Sequence, residues 1–210
     1  MAIRTILKLP KHEKLLRKRS EPVPKVGRRV RALVADLIDT LDTVNGLGLA
    51  APQIGTLERV AVIITGGSDE GDPPEEGAVS EIIPLINPQI LDEGEPERGY
   101  DGCLSIPGLQ GYTRRPSTLR VRSLDLDGNE VEYQFEGLDA RAAHHEIDHL
   151  EGVLYLDRME TLEELFYLVE DDEDEDGVAF LPYLDVHPEL RATPDKREGL
   201  PTRGVPTIAG

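Results

Sequence analysis

Val26, Val30, Leu33, Val34, Leu37, Ile38, Leu41 and Val44 recur at spacings of three and four residues. That period predicts a helix with one apolar face, and the Asn45-Gly46 pair after it is a C-terminal stop. The pattern then changes. RVAVIIT (59–65) and IPLINPQIL (83–91) are short apolar runs rich in β-branched residues, the composition of strands. LRVRSLDLDGNEVEYQFEG (119–137) reads as a hairpin, because Asp127-Gly128 supplies a positive-φ turn between two β-prone runs. A second helix is predicted over about 139–151, with Ala143, Ile147, Leu150 and Leu154 as an apolar stripe. One early helix, several strands and one late helix predict an α+β fold rather than a doubly wound sheet.

Three segments interrupt these patterns. Residues 66–81 are rich in Gly, Pro and acid, residues 170–176 are EDDEDED, and from His187 onward Pro and Gly are scattered without an apolar period. All three read as solvated loop or tail. With 6 Tyr, 3 Phe and no Trp, the core must be built mainly from Val, Leu and Ile. The 210-residue chain carries a formal net charge of −18, which argues against a general nucleic-acid or DNA binder. The charge is uneven: eleven Lys and Arg against two Glu through Arg31 make +9, leaving −27 for the remainder. Cys103 is the single cysteine, so no intramolecular disulfide forms. No run approaches the roughly 18 apolar residues of a membrane helix, and the N-terminus lacks the apolar core of a secretory signal. The expected setting is the cytoplasm.

The strongest chemical signal is HEIDH, His145 to His149. On a helix, residues i and i+4 share a face, so both imidazoles can reach one metal ion while Glu146 holds a proton nearby. The third ligand separates families. Tyr155 stands where a final His would complete HExxHxxGxxH, which leaves a downstream Glu (Glu163, Glu164 or Glu170) or the upstream Cys103. A downstream Glu would make a zinc endopeptidase. Cys103 would give a thiolate and two imidazoles, with the fourth position open for water. A third unusual stretch, Gly46-Leu47-Gly48-Leu49-Ala50-Ala51-Pro52-Gln53, lacks the pattern of a phosphate loop. It reads as a helix stop followed by a packed strand, whose small residues admit a close backbone or ligand and whose Gln53 could bring an amide into a cleft.

GLGLAAPQIG, DGCLSIP and HEIDHLEG, in that order, resemble the three signature motifs of peptide deformylases. ILKLPKHEKLLRKRSEPV is similar to that family's N-terminal segment, and the resemblance covers about residues 3–160. It implies removal of the formyl group from the N-terminal methionine of new polypeptides. It also implies a metal held by Cys103, His145 and His149, usually Fe²⁺, with Zn²⁺, Ni²⁺ or Co²⁺ in related enzymes. Glu146 would be the general acid/base, and Gln53 and the Leu104 N–H would face the developing oxyanion. Leu47 and Gly48 would hold the peptide backbone, and Leu138 and Ala142 would lie near the methionine pocket. Two positions depart from the family: Asp101 stands where Glu is usual, with Arg114 or Arg115 as its partner, and His144 where Gln is common. The fold expected is then α+β, with β-sheets packed around a central helix carrying HExxH and an N-terminal helix. Residues 1–165 would be the catalytic domain, with the acidic insertion at about 66–81. Residues 166–210 would be an acidic, Pro/Gly-containing, partly disordered extension. The partners expected are N-formylmethionyl nascent peptides, with the basic N-terminal stretch either a solvated face or a weak electrostatic guide toward ribosomal RNA.

Overall fold

The computed structural model describes residues 2–44, 46–66, 80–170 and 178–192. Most of the acidic insertion, most of the 170–176 run and the chain after 192 lie outside the described residues. The elements are α1 (Glu13–Leu16), α2 (Arg28–Leu41), β1 (Gly48–Ala50), β2 (Val60–Ile64), β3 (Ile82–Glu93), β4 (Pro96–Gly102) and β5 (Leu109–Pro116). They continue with β6 (Thr118–Leu124), β7 (Glu130–Glu136), α3 (Gly137–Glu151), α4 (Tyr155–Arg158), β8 (Leu165–Glu170), β9 (Val178–Pro182) and α5 (Tyr183–Val186). The strands form two antiparallel sheets, ordered β1-β2-β3-β6-β7 and β4-β5-β8-β9.

Strand β2 explains why RVAVIIT has no polar alternation. Val60 and Val62 face the cluster built on α2, with Val30, Val34, Leu37 and Leu41. Ala61 and Ile63 face the opposite cluster, with Ala140, Ala143, Ile147 and Leu150 of α3. A strand covered on both faces must be apolar throughout, and each of these four residues has no exposed surface. Helix α3 therefore lies between the larger sheet and the smaller one, and ten of its residues are buried. The hairpin turn forms as its sequence demands, with Gly128 at φ 88°.

Strands β4 and β5 had no apolar signal, and the reason is chemical. Their buried positions include Asp101, Thr113 and Arg115, which are polar and paired rather than apolar. The described part of the expected extension is folded. Strand β8 pairs with β5 at Leu109↔Tyr167 and with β9 along its length. Tyr167, Tyr183 and Leu184 enter a core with Leu109, Tyr155 and Leu165. The acidic run thus joins two paired strands, and Pro188–Ala192, expected as tail, forms a 3₁₀ helix. The first helix is shorter than its apolar period, because Asp42 caps α2 and Val44 follows in a turn.

Helix α3 ends at Gly152, in the left-handed region at φ 73°. A Cβ there would stand 2.5 Å from the backbone oxygen of Arg17. Gly152→Ala is therefore expected to destabilise the fold by at least about 1–3 kcal/mol, since strain adds to a backbone clash. A urea midpoint equal to that of the parent would contradict this.

Candidate metal centre and active site

Three separate segments deliver the reactive groups. Helix α3 carries His145, Glu146 and His149, the turn after β4 carries Cys103, and the 3₁₀ turn Ala51–Ile54 after β1 carries Gln53. Backbone bonds draw the last two together. Leu7 N–H donates to Gln53 O at 2.7 Å and Leu9 N–H to Ser105 O at 2.9 Å, so the N-terminal segment clamps both turns. Ile106 N–H donates to Cys103 O at 2.8 Å, closing the cysteine turn over the fully buried Ile106 side chain. Leu104 packs over Gly46, where a Cβ would come within 3.0 Å of its Cδ1.

Ligand atoms of Cys103, His145 and His149 all lie within 4.8 Å of one another. Cys103 Sγ is 3.2 Å from His149 Nε2. No other such cluster of His, Cys, Asp or Glu occurs among the described residues. Glu164, one of the three downstream Glu candidates for the third ligand, instead accepts from Arg98 Nε at 2.9 Å. His145 Nδ1 donates to Asp101 Oδ1 at 2.7 Å, which leaves its other ring nitrogen for a ligand role. The donor set, one thiol and two imidazoles with a carboxylate holding one ring, suits a divalent transition metal. Two buried polar atoms beside it, Glu146 Oε2 and His149 Nδ1, have no hydrogen-bond partner among the described residues.

Burial alone would push the Asp101 carboxyl up, but the charges of His145 and Arg115 outweigh it and hold it well below the usual range. Burial would pull His145 down, yet Asp101 raises it well above its ordinary value. His149 is lowered by burial and by the charge of His145. Burial pushes the Glu146 carboxyl up to about 7, only partly opposed by His145 and Arg115. A carboxyl near neutrality is suited to both taking and giving a proton. Gln53 is held at both ends: its Oε1 accepts from Ala50 N–H at 2.7 Å, and its Nε2 lies 3.3 Å from Ser105 Oγ and 3.7 Å from Cys103 Sγ.

The sequence model of the polypeptide deformylase family matches residues 3–165. The chain belongs to that family. A peptide deformylase of Thermomicrobium roseum is 43% identical over 83% of this chain and 96% of its own. A crystal structure of a peptide deformylase from Legionella pneumophila superposes with a TM-score of 0.66 at 37% identity, covering 77% of this chain and 88% of that one. The Ehrlichia chaffeensis peptide deformylase in complex with actinonin gives 0.65 at 37% identity, covering 76% and 90%. Polypeptide deformylases are metal-dependent hydrolases that remove N-terminal formyl groups.

In this deformylase the remaining expected residues are placed unevenly. Gly48 lies against Glu146, and a Cβ on it would be 2.7 Å from Glu146 Cγ and Oε1. Leu47 is 39% exposed beside it, its carbonyl accepting from Ile64 N–H at 2.8 Å. Ala142 is buried on α3, three residues before His145 and so on the same face. Leu138 lies further away, lining a cleft with Gly99, Pro116, Ser117 and Arg141. Arg115, not Arg114, meets Asp101: its Nε donates at 2.6 Å and its Nη1 donates to Asp148 at 2.8 Å. Arg114 points outward to Glu160, as strand alternation requires. His144 is buried, its Nδ1 accepting from Arg115 Nη1 at 2.6 Å, and burial lowers its pKa. Asp148, inside HEIDH, is also buried, and a buried carboxylate requires a cation opposite it, here Arg115.

Two expectations follow. Gly48→Ala should cut kcat/KM by about a hundred-fold, because displacing the carboxylate by an ångström is enough. Metal content should be retained, and an unchanged rate would count against the close packing. In the metal-free chain, a raised Glu146 pKa contributes stability that is full below about pH 4.5 and lost as pH rises through about 7. Urea midpoints across pH 4–8 should show that limb, and Glu146→Gln should remove it.

Proposed function

We propose that this protein hydrolyses the formyl amide at the N-terminus of formylmethionyl polypeptides, releasing formate, with Cys103, His145 and His149 holding one divalent ion. The observation that carries the reading is the thiol–imidazole–imidazole cluster with a proton-poised Glu146 and an anchored Gln53 amide on its border. We read the native ion as Fe²⁺, with Zn²⁺, Ni²⁺ or Co²⁺ able to replace it. The ion, when bound, lowers the pKa of water toward neutrality and polarises the formyl carbonyl.

The chain's own residues supply the rest. Glu146 takes a proton from the attacking water and delivers it to the amine nitrogen as the C–N bond breaks. The Gln53 amide, unable to rotate while Ala50 N–H holds its oxygen, donates to the developing oxyanion together with the Leu104 N–H. Strand β1 lies at a sheet edge, with β2 its one neighbour in the sheet order. An extended peptide can pair along Leu47 and Gly48 as an added strand. Ala142, and further out Leu138, border the methionine side chain. Gly48, pressed against Glu146, leaves room for a formyl group but little for a bulkier acyl group. The setting we infer is the cytoplasm. Encounter with the ribosome would be transient, guided by the exposed Lys14 and Lys18, because Arg17 and Arg19 are already paired with Asp157 and Glu151.

Anaerobically purified protein should release formate from formyl-Met peptides and nothing from acetyl-Met or internal-peptide controls. Glu146→Gln should keep its metal and lose about 10² to 10⁴ in rate. Gln53→Ala should lose about 10² to 10³. Cys103→Ala should lose the metal itself. Turnover by Glu146→Gln at the parent rate would overturn the reading.

A further inference from the structure

Asp101 has two carboxylate oxygens with different duties. Oδ1 accepts from His145, while Oδ2 accepts from Arg115 Nε at 2.6 Å and from the Thr113 hydroxyl at 3.0 Å. Thr113 is buried and has only one proton to give, so with that proton on Asp101 its oxygen is an acceptor. Arg141 Nη1 donates to it at 3.0 Å. The same guanidinium donates to the backbone oxygens of Gly99 at 3.3 Å and Glu97 at 3.0 Å.

These contacts close a loop. Arg141 and His145 are four residues apart on α3, one helical turn, so they leave the same side of the helix. Arg141 reaches across to β4 and Thr113, Thr113 reaches Asp101, and Asp101 returns to His145. The loop requires Gly99. A Cβ at that position would stand 2.6 Å from Arg141 Nη2 and 2.8 Å from its Cζ, so any side chain would lift the guanidinium off the strand. Register places Thr113 opposite Gly99, two residues along from Gly111, the partner of Asp101. Alternation then puts the hydroxyl and the carboxylate on one face of the sheet.

We propose that Thr113 and Arg141 are positioning residues for the metal centre, holding the Asp101 carboxylate in the orientation that keeps His145 available as a ligand. Asp101 is a short carboxylate at the end of a strand. Arg115 alone bonds Oδ2 from one side, and its guanidinium is also committed to Asp148. The hydroxyl supplies a second direction, which fixes the plane of the carboxylate. Arg141 polarises that hydroxyl, so the bond it donates is strengthened. This inference rests on the reading of Cys103, His145 and His149 as ligands.

The test is competition for Co²⁺ against a chromogenic chelator, together with the visible spectrum of the Co²⁺ form, on the full chain. Thr113→Val keeps shape and removes the hydroxyl. It should weaken Co²⁺ binding at least about ten-fold, as loss of a group supporting a ligand does, and should alter the ligand-field bands. Thr113→Ser should restore both, and Arg141→Gln should weaken binding without adding its full effect to that of Thr113→Val. Parent-like affinity and spectrum in Thr113→Val, or no recovery in Thr113→Ser, would overturn the positioning role alone. A parent chain that does not compete for Co²⁺ would overturn the metal-centre reading and this inference with it.

Discussion

An arginine with no exposed side-chain surface must be neutralised where it lies, and Arg115 is neutralised by two carboxylates from different elements, Asp101 of β4 and Asp148 of α3. Stripping a partner from such a group leaves a buried charge uncompensated and costs about 3–5 kcal/mol. The pair of contacts therefore ties the smaller sheet to the helix as firmly as apolar packing does. It also sets the site, because Asp101 is the group that holds His145 and Asp148 lies one residue before His149. Arg158 covers the other oxygen of Asp148 at 2.6 Å, so α4 joins the same network. The candidate site and the fold share this network, and neither could move without the other.

Around that tie the molecule is assembled from segments distant in sequence. Helix α3 fills the space between the sheets. On one side it meets the small residues of β1 and β2, and on the other the polar inner face of β4 and β5. The N-terminal segment at Leu7 and Leu9 joins the Gln53 and Cys103 turns through backbone bonds, which are indifferent to side-chain identity. Glycines permit the closest approaches. Gly48 faces Glu146 and Gly99 faces Arg141, each at a distance that a methyl group would close. The groups of the candidate site are thus held by close-packed neighbours on several sides, an arrangement suited to preorganised rather than rearranging chemistry.

The larger sheet was the legible part of the fold. The doubly apolar run of β2, the Asp127-Gly128 turn and the period of α2 each carry a local signal that their surroundings only confirm. The smaller sheet was not legible, because its inner face is occupied by Asp101, Thr113 and Arg115, and polar residues erase the alternation by which strands are recognised. Strands β8 and β9 were hidden differently: the acidic run between them makes the whole region read as solvated, although Tyr167, Tyr183 and Leu184 are buried.

The sequence by itself determined the donor types and their grouping. HEIDH places two imidazoles and a carboxylate on one helix by period alone, while the choice of Cys103 over a downstream Glu as third donor was left open by the residues and came from the resemblance of the three motifs to the family. Those are consequences of local geometry and of chemical identity, which a linear string carries. Only the tertiary structure decided which partner each of those groups has. Arg115 rather than Arg114 meets Asp101, His144 is an acceptor in a buried network, and Thr113 links Asp101 to Arg141 of α3. Such pairings depend on strand register and on sheet-to-helix distance, and these are set by the packing of the whole chain.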